Sequence, residues 1–526
     1  MDCGFALWPL SCDVRERPTG QRLGGTTLDC GKLTRIARSA LVAGALTLAF
    51  GASTASAGPL QTGVLDPAAA SRGGKFEINA STAMQAVKQQ ARGSIVRLYL
   101  SWRSVAGPTE PASPANPTSY NWGAGNLQAN VDAAQSNGLQ VMLTIRSAPD
   151  WAQRGGNDGR GTHNPDPQKL KAFTRAATQR FSDVHLWGVW NEPNYKAFLS
   201  PQYRNGKLVS PTMYRALLNA AASAIHAHPQ NRVVAGETAP FSHWNRKGRP
   251  TAPGPLLFLR KLLCVDKSGH STCKAKVHAD IFATHPYTSG NAFHHAFNAN
   301  DVSFGDLQQW KRVIKAASRA KHITNRSGGH GVGLWITEFS WDSKPIDPKA
   351  VPKDLHARWT AEALYRTWKL GIGTLLWGQL RDYEIGTDKT FGQYQSGLFY
   401  CDATPTLKDS CPSYQNPSSS TAKPALRAFR FPFVAYASHG RIKVWGRTWN
   451  SVGGSVKIQR LKDGKWVAMK GASAASSGIF KKGFRSSVRK AKLRAAFGGA
   501  TSVPFSLARP KDRFVNPFGC GGVIPC

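Results

Sequence analysis

The chain has 526 residues, carries 68 Lys and Arg against 30 Asp and Glu for a formal net charge of +38, and is 41% apolar. That apolar share excludes general disorder, and the length exceeds what one ordinary core organises, so two domains are expected. The charge admits contact with nucleic acid, anionic lipid or acidic polysaccharide. However, the cations are thinly spread and no nucleic-acid motif accompanies them, which argues against sequence-specific DNA recognition.

At the N-terminus, KLTRIARS (32–39) is basic, ALVAGALTLAF (40–50) is a short apolar stretch, and GASTASA (51–57) ends in a small-x-small pattern. This order reads as an export signal cleaved after Ala57, and the apolar stretch is too short to span a membrane comfortably. Residues 1–31 hold Cys3, Cys12 and Cys30 but no apolar core, and an overextended reading-frame start would explain them. The expectation is a secreted bacterial protein able to associate with a cell wall. The six later cysteines fall in close pairs, Cys264 with Cys273, Cys401 with Cys411 and Cys520 with Cys526. In an exported chain that pattern suggests local disulfides rather than a zinc site.

From about residue 61 to 425, short apolar runs alternate with helical patterns, which predicts a parallel β/α arrangement. The first strand is TGVLD (62–66) or KFEIN (75–79), and MQAVKQQA (84–91) follows as a helix. SIVRLYLSW (94–102), LQVMLTI (139–145), VHLWGVW (184–190), NRVVAG (231–236), ADIFATH (279–285), GVGLWITEF (331–339) and GTLLWGQ (373–379) supply strands two to eight. Helices fall between most of them, for example PTMYRALLNAAASAIHAH (211–228) and LHARWTAEALYRTWKLG (355–371). Eight strands in this order predict a closed (β/α)8 TIM barrel. A doubly wound open sheet is the rival, but it lacks a glycine-rich phosphate loop here. After a Pro/Ser/Cys-rich border at 402–424, short strand-like runs predict a small C-terminal all-β sandwich. The expected organisation is a precursor segment over 1–57, a catalytic barrel over 58–425 and an accessory domain over 426–526. In that last domain Trp445, Trp449 and Trp466 either pack the core or line a sugar-binding surface, and the run KKGFRSSVRKAKLR (481–494) offers a contact for acidic glycans.

Two segments carry chemistry. WGVWNEPN (187–194) delivers Asn191 and Glu192 to the C-terminal end of the fourth strand, and LWITEFSW (334–341) delivers Glu338 to the end of the seventh. In a barrel these ends meet across the active mouth. Retaining glycoside hydrolysis needs two carboxyls ~5–5.5 Å apart, one ionised to attack the anomeric carbon and one protonated to release the leaving group.

These segments resemble those of clan A glycoside hydrolases, particularly the families numbered 5 and 39, over roughly residues 61–400. The resemblance implies Glu192 as acid/base, Glu338 as nucleophile, Asn191 bonding the sugar 2-hydroxyl and Arg97 supporting the nucleophile. It further implies that His285 and Tyr287 serve the site, with Tyr287 bonding Glu338, and that Trp377 floors the subsite holding the cleaved sugar. The C-terminal domain resembles immunoglobulin-like or fibronectin-like modules. Trp151, Glu237 and Asp382 are further substrate-contact candidates, as are Asp150 and Glu384, and Glu237 could instead tune its neighbours. No metal or other cofactor is expected, because paired carboxylates hydrolyse glycosides without one. The function expected is a retaining glycoside hydrolase acting on β-D-glycosidic or α-L-arabinosidic bonds of an oligosaccharide, glycoside or polysaccharide. The long loops at 146–170, 193–210, 237–256 and 286–304 favour a walled pocket and exo action. The alternatives are a transglycosylase on the same scaffold and a non-catalytic glycan- or wall-binding protein.

Overall fold

The structure is a computed structural model that describes residues 59–69, 79–344, 350–383, 395–400 and 421–513. The export signal, Glu384, the cysteine pairs 401/411 and 520/526, and nearly all of KFEIN lie outside the described residues.

Eight parallel strands close into a barrel: β1 (Gln61–Leu65), β2 (Ile95–Ser101), β3 (Gln140–Arg146), β4 (Leu186–Val189), β5 (Arg232–Thr238), β6 (Ile281–Thr284), β7 (Gly333–Phe339) and β8 (Thr374–Trp377). Each strand pairs with its sequence neighbours, and β1 closes the ring between β2 and β8. Of the two candidates for the first strand, TGVLD is the one in the barrel. Helices α1 (Ala80–Gln85), α2 (Leu127–Ser136), α3 (Pro167–Arg180), α4 (Ser210–Ile225), α5 (Pro255–Leu262), α6 (Leu307–Arg319) and α7 (Lys353–Lys369) connect the strands. The helical pattern at 84–91 continues α1 as a π-turn over Ala86–Gln90. Local chemistry sets the starts: the Asp166 side chain accepts from Gln168 N and Lys169 N, and Pro167 follows, capping α3.

Strand alternation divides the apolar residues into two cores. Ile95, Met142, Leu186, Val234, Ile281 and Leu376 fill the barrel interior, with Trp335 packed against them. Their sequence neighbours, such as Val96, Leu143, Trp187, Val233, Phe282 and Leu375, face outward under the helices. The interior plug supports whatever stands above it at the C-terminal ends of the strands.

Helix α8 (Pro424–Arg430) leads into the expected all-β domain, which is antiparallel: β9 (Phe433–Ser438), β10 (Arg441–Arg447), β11 (Gly454–Lys462), β12 (Lys465–Ala474), β13 (Ile479–Arg485), β14 (Lys492–Phe497), β15 (Ala500–Thr501) and β16 (Phe505–Ser506). The run β9-β10-β13 and the run β12-β11-β14-β15 join through one residue pair, Ala474 with Phe480, so the sheet turns there into a half-barrel. Trp445 is a packing residue, buried 5.5 Å from both Tyr365 and Trp368 of α7, whereas Trp449 and Trp466 are only partly buried and lie under Arg92 and Arg494. Cys264 and Cys273 are bonded to each other, the one predicted pair within the described residues. Among the described residues no helix is long and apolar enough to cross a membrane.

The seam between the domains is also polar. Arg447 of β10 is fully buried and donates to Leu60 O at 2.9 Å, to Thr62 Oγ1 at 3.1 Å and to Phe429 O at 3.3 Å. Burial lowers its pKa to about 10, which still leaves it charged at neutral pH. Replacing Arg447 with Met strands the buried acceptors at Leu60, Thr62 and Phe429. The expected cost is about 2 kcal/mol, measured as a lower urea midpoint with an unchanged slope.

Candidate active site

Above the interior plug, the inward positions of β2 and β3 turn polar. Arg97 and Tyr99 continue the face begun by Ile95, and Thr144 and Arg146 continue that of Met142. On β4 the inward position is Gly188. A side-chain carbon there would stand 2.4 Å from both Glu237 Oε1 and Thr144 Oγ1, so a glycine is what lets those groups meet.

Simple alternation does not deliver the three glutamates. Between β5 and β6, Gly236 pairs with Ala283 and Thr238 with Thr284, so Glu237 is an extra residue on β5, and its φ is +43°. Between β7 and β8, Ile336 pairs with Leu375 and Phe339 with Trp377, so β7 also carries one residue too many. Thr337 and Glu338 both reach the site through that bulge, while Phe339 returns to the outer core. After β4, Trp190 and Glu192 adopt φ of +69° and +42°. Left-handed backbone at non-glycine residues costs on the order of 1 kcal/mol each, and bulges re-aim side chains near functional sites.

Arg97 is the hub. It is fully buried, and Nε donates to Thr144 Oγ1 at 3.0 Å. Nη1 donates to Glu338 Oε2 at 3.2 Å and Tyr99 OH at 3.3 Å; Nη2 donates to Asn191 Oδ1 at 2.8 Å and to Glu237 Oε2. Burial alone would lower its pKa, but Glu237, Tyr99, Glu338 and Glu192 together raise it, so the charge is permanent. Glu338 also accepts from Tyr99 OH at 3.1 Å and, on Oε1, from Tyr287 OH at 2.9 Å. His285 spans the other side: Nδ1 is 3.0 Å from Glu192 Oε1 and 3.8 Å from Glu338 Oε2, and Nε2 is 3.1 Å from Thr337 Oγ1.

The carboxylates titrate in opposite directions. Burial pushes Glu338 up, but the charges of His285 and Arg97 and the hydroxyls of Tyr287 and Tyr99 outweigh it, so its pKa falls below the usual glutamate value. Burial raises Glu192, and the negative Glu338 adds to the rise, against the hydrogen bond and charge of His285. Glu237 is raised by burial in spite of Arg97; with no exposed surface it braces Arg97 and offers nothing to a ligand.

Of the residues singled out in the sequence, the structure gathers Arg97, Asn191, Glu192, Glu237, His285, Tyr287 and Glu338 into this cluster. Trp377 is placed elsewhere. Leu376 holds the inward position of β8, so Trp377 faces outward, wholly buried among Phe339, Trp341 and Phe429, with Nε1 donating to Ser396 O at 2.7 Å. It does not floor the site. Asp382 is likewise a buried ion-pair partner, 2.6 Å from Lys423 Nζ and accepting from Gly397 N, rather than a substrate contact. Trp151 packs edge-on against Trp102 at 5.7 Å, and Asp150 pairs with Arg103. Tyr99, Thr144 and Gly188 were missed, although each lies two residues from an inward neighbour and the period-2 pattern could have found them. No group of three or more His, Cys, Asp or Glu among the described residues is arranged to hold a metal.

The closed eight-stranded barrel carries a glutamate pair at its C-terminal mouth, and the comparison of sequences shows that the protein is a glycoside hydrolase and gives its family. Residues 65–377 match the model of the Cellulase (glycosyl hydrolase family 5) family, well over half of the chain, and the protein belongs to it. No curated protein matches the chain. Solved structures resembling it include a family 39 glycoside hydrolase from the gut symbiont Bacteroides cellulosilyticus, at 13% identity over 82% of this chain and 80% of that one, with a TM-score of 0.49. A glucosidase from Croceicoccus marinus is 13% identical over 81% and 92% of the two chains, with a TM-score of 0.44. A family 30 endoxylanase from Clostridium papyrosolvens is 12% identical over 81% and 94%, with a TM-score of 0.39.

Removing one of the groups that hold Glu338 down moves its titration up. Tyr287→Phe therefore raises the pKa of Glu338, read by NMR of carbon-labelled glutamate with Glu338→Gln as the assignment control; an unmoved resonance contradicts this account. Gly188→Ala forces Glu237 and Thr144 apart and costs about 1–3 kcal/mol as an overpacked core, measured by urea unfolding.

Proposed function

We propose that the protein is a retaining glycoside hydrolase in which Glu338 is the nucleophile and Glu192 the acid/base. The observation that carries this reading is the placing of two carboxyls, Glu192 and Glu338, around one imidazole nitrogen, His285 Nδ1, and burial and neighbouring charges push their pKa values in opposite directions. Glu192 Oε1 and Glu338 Oε2 lie 3.0 and 3.8 Å from that nitrogen, close enough to be compatible with the ~5–5.5 Å spacing of retaining enzymes.

In the first step the ionised Glu338 attacks the anomeric carbon while Glu192 protonates the departing oxygen. Water, deprotonated by Glu192, then cleaves the glycosyl ester. Arg97, Tyr99 and Tyr287 orient Glu338 and favour its ionised form. Asn191 spends Oδ1 on Arg97, which leaves its Nδ2 as the donor for a 2-hydroxyl of the sugar. The substrates are β-D-glycosides or the stereochemically equivalent α-L-arabinosides. Small hairpins in the loops after β4 and β5, at Tyr203–Arg204 with Lys207–Leu208 and at His243–Trp244 with Pro250–Ala252, support a walled mouth and exo action. The export signal read at 32–57 supports an activity outside the cell.

Activity requires Glu338 ionised and Glu192 protonated. It therefore rises as pH passes the lowered pKa of Glu338 and falls as pH passes the raised pKa of Glu192, giving a bell with Glu192 on its alkaline limb. Glu338→Gln abolishes turnover. Glu192→Gln loses about 10²–10⁴-fold on natural leaving groups and much less on nitrophenolates, which leave without protonation. Proton NMR of the first-formed product reads the stereochemistry: the retained anomer supports the mechanism, and the inverted anomer overturns it.

A further inference from the structure

We propose that the sugar held beside Glu338 carries an anionic substituent, a carboxylate or a sulfate ester, and that Arg146 recognises it. The proposal rests on the hydrolase reading above and adds the chemical class of the substrate. Arg146 ends β3 on the inward face, one step nearer the mouth than Thr144 and opposite Ser101 of β2. Its guanidinium lies over the ring of Tyr99, with Cζ 4.2 Å from the centroid. The hydroxyl of that ring donates to Glu338. A second cation is thus held one tyrosine ring away from the carboxylate that attacks the sugar.

The two arginines of this layer are used differently. Arg97 spends its N–H groups on Thr144, Tyr99, Glu338, Asn191 and Glu237. Arg146 forms no ion pair among the described residues, and its buried Nε has no hydrogen-bond partner. Arg103, one strand-end away, is already neutralised by Asp150. Stacking on Tyr99 occupies the face of the Arg146 guanidinium and leaves its Nη donors free. The two Nη groups form the end-on fork that fits two oxygens of a carboxylate or sulfate, with the buried Nε behind it. A neutral hydroxyl could occupy one donor, but it would leave the charge uncompensated. The stack also fixes the side chain before the ligand arrives, so little rotamer freedom is lost on binding. The formal net charge of +38 acts in the same direction at longer range by drawing anionic glycans toward the molecule.

The test compares aryl β-glucoside, β-glucuronide and 6-O-sulfo-β-glucoside, and the matching galacto series, on the mature enzyme and on Arg146→Gln and Arg146→Lys. The expected wild-type kcat/KM is at least about tenfold higher for one anionic member than for its neutral parent, and which member wins separates carboxylate from sulfate. Arg146→Gln lowers that anionic-to-neutral ratio at least about tenfold, chiefly through KM, and Arg146→Lys retains part of it, as a point charge without the fork would. A wild-type preference for the neutral sugars, or a ratio unchanged in Arg146→Gln, overturns the proposal. Mass spectrometry with 2-deoxy-2-fluoro glycosides separates the two readings. Labelling of Glu338 by neutral probes but not by uronate or sulfated ones overturns the anionic substrate and leaves the hydrolase standing; labelling by none, in folded protein, overturns both.

Discussion

Everything at the mouth of this barrel depends on one buried cation. Arg97 has no solvent-exposed surface, so its charge is tolerable only because Glu237, Glu338, Asn191, Thr144 and Tyr99 meet it at hydrogen-bond distance. Those partners come from five different strands or strand ends, and the guanidinium fork fixes their directions. The same charge keeps Glu338 ionised against the burial that would protonate it. Glu237 looks like a third active-site acid in a list of residues, yet its place is beneath Arg97, where it balances the cation so that Glu338 is not drawn into a tight pair and remains available.

The barrel and its carboxylates were legible in the sequence because the apolar strands and the Asn-Glu-Pro and Ile-Thr-Glu-Phe segments are local patterns. The side chains that face the mouth were only partly legible. Arg97 and His285 follow from alternation along β2 and β6. Trp377 shows where the strand pattern was not carried through: it follows Leu376, an interior residue, so strict alternation alone sends its ring outward. Asp382 was misplaced for a different reason. Its partner Lys423 is 41 residues away, and nothing in either local segment announces the pair.

The bulges on β5 and β7 were not legible at all. Each inserts one residue against the neighbouring strand, and each does so at the residue that carries a carboxyl, Glu237 or Glu338. A perfect period-2 strand would have sent one of Thr337 and Glu338 away from the mouth. Irregular register is therefore how this barrel places adjacent polar residues on the same side, and it accounts for the left-handed φ at Glu237.

The reach of Arg447 to β1 bears on how the chain acquires its shape. β1 is the first barrel strand to be synthesised, and it closes the ring, yet the bonds of Arg447 to Thr62 on this strand and to Leu60 just before it span 385 and 387 residues. Contacts so distant in sequence are slow to form because a long loop must be closed first. On a ribosome, all eight strands emerge before the arginine that fastens the seam. The Leu60 carbonyl and the Thr62 hydroxyl are therefore made long before the arginine that bonds them, and the all-β domain is a late partner of the first barrel strand.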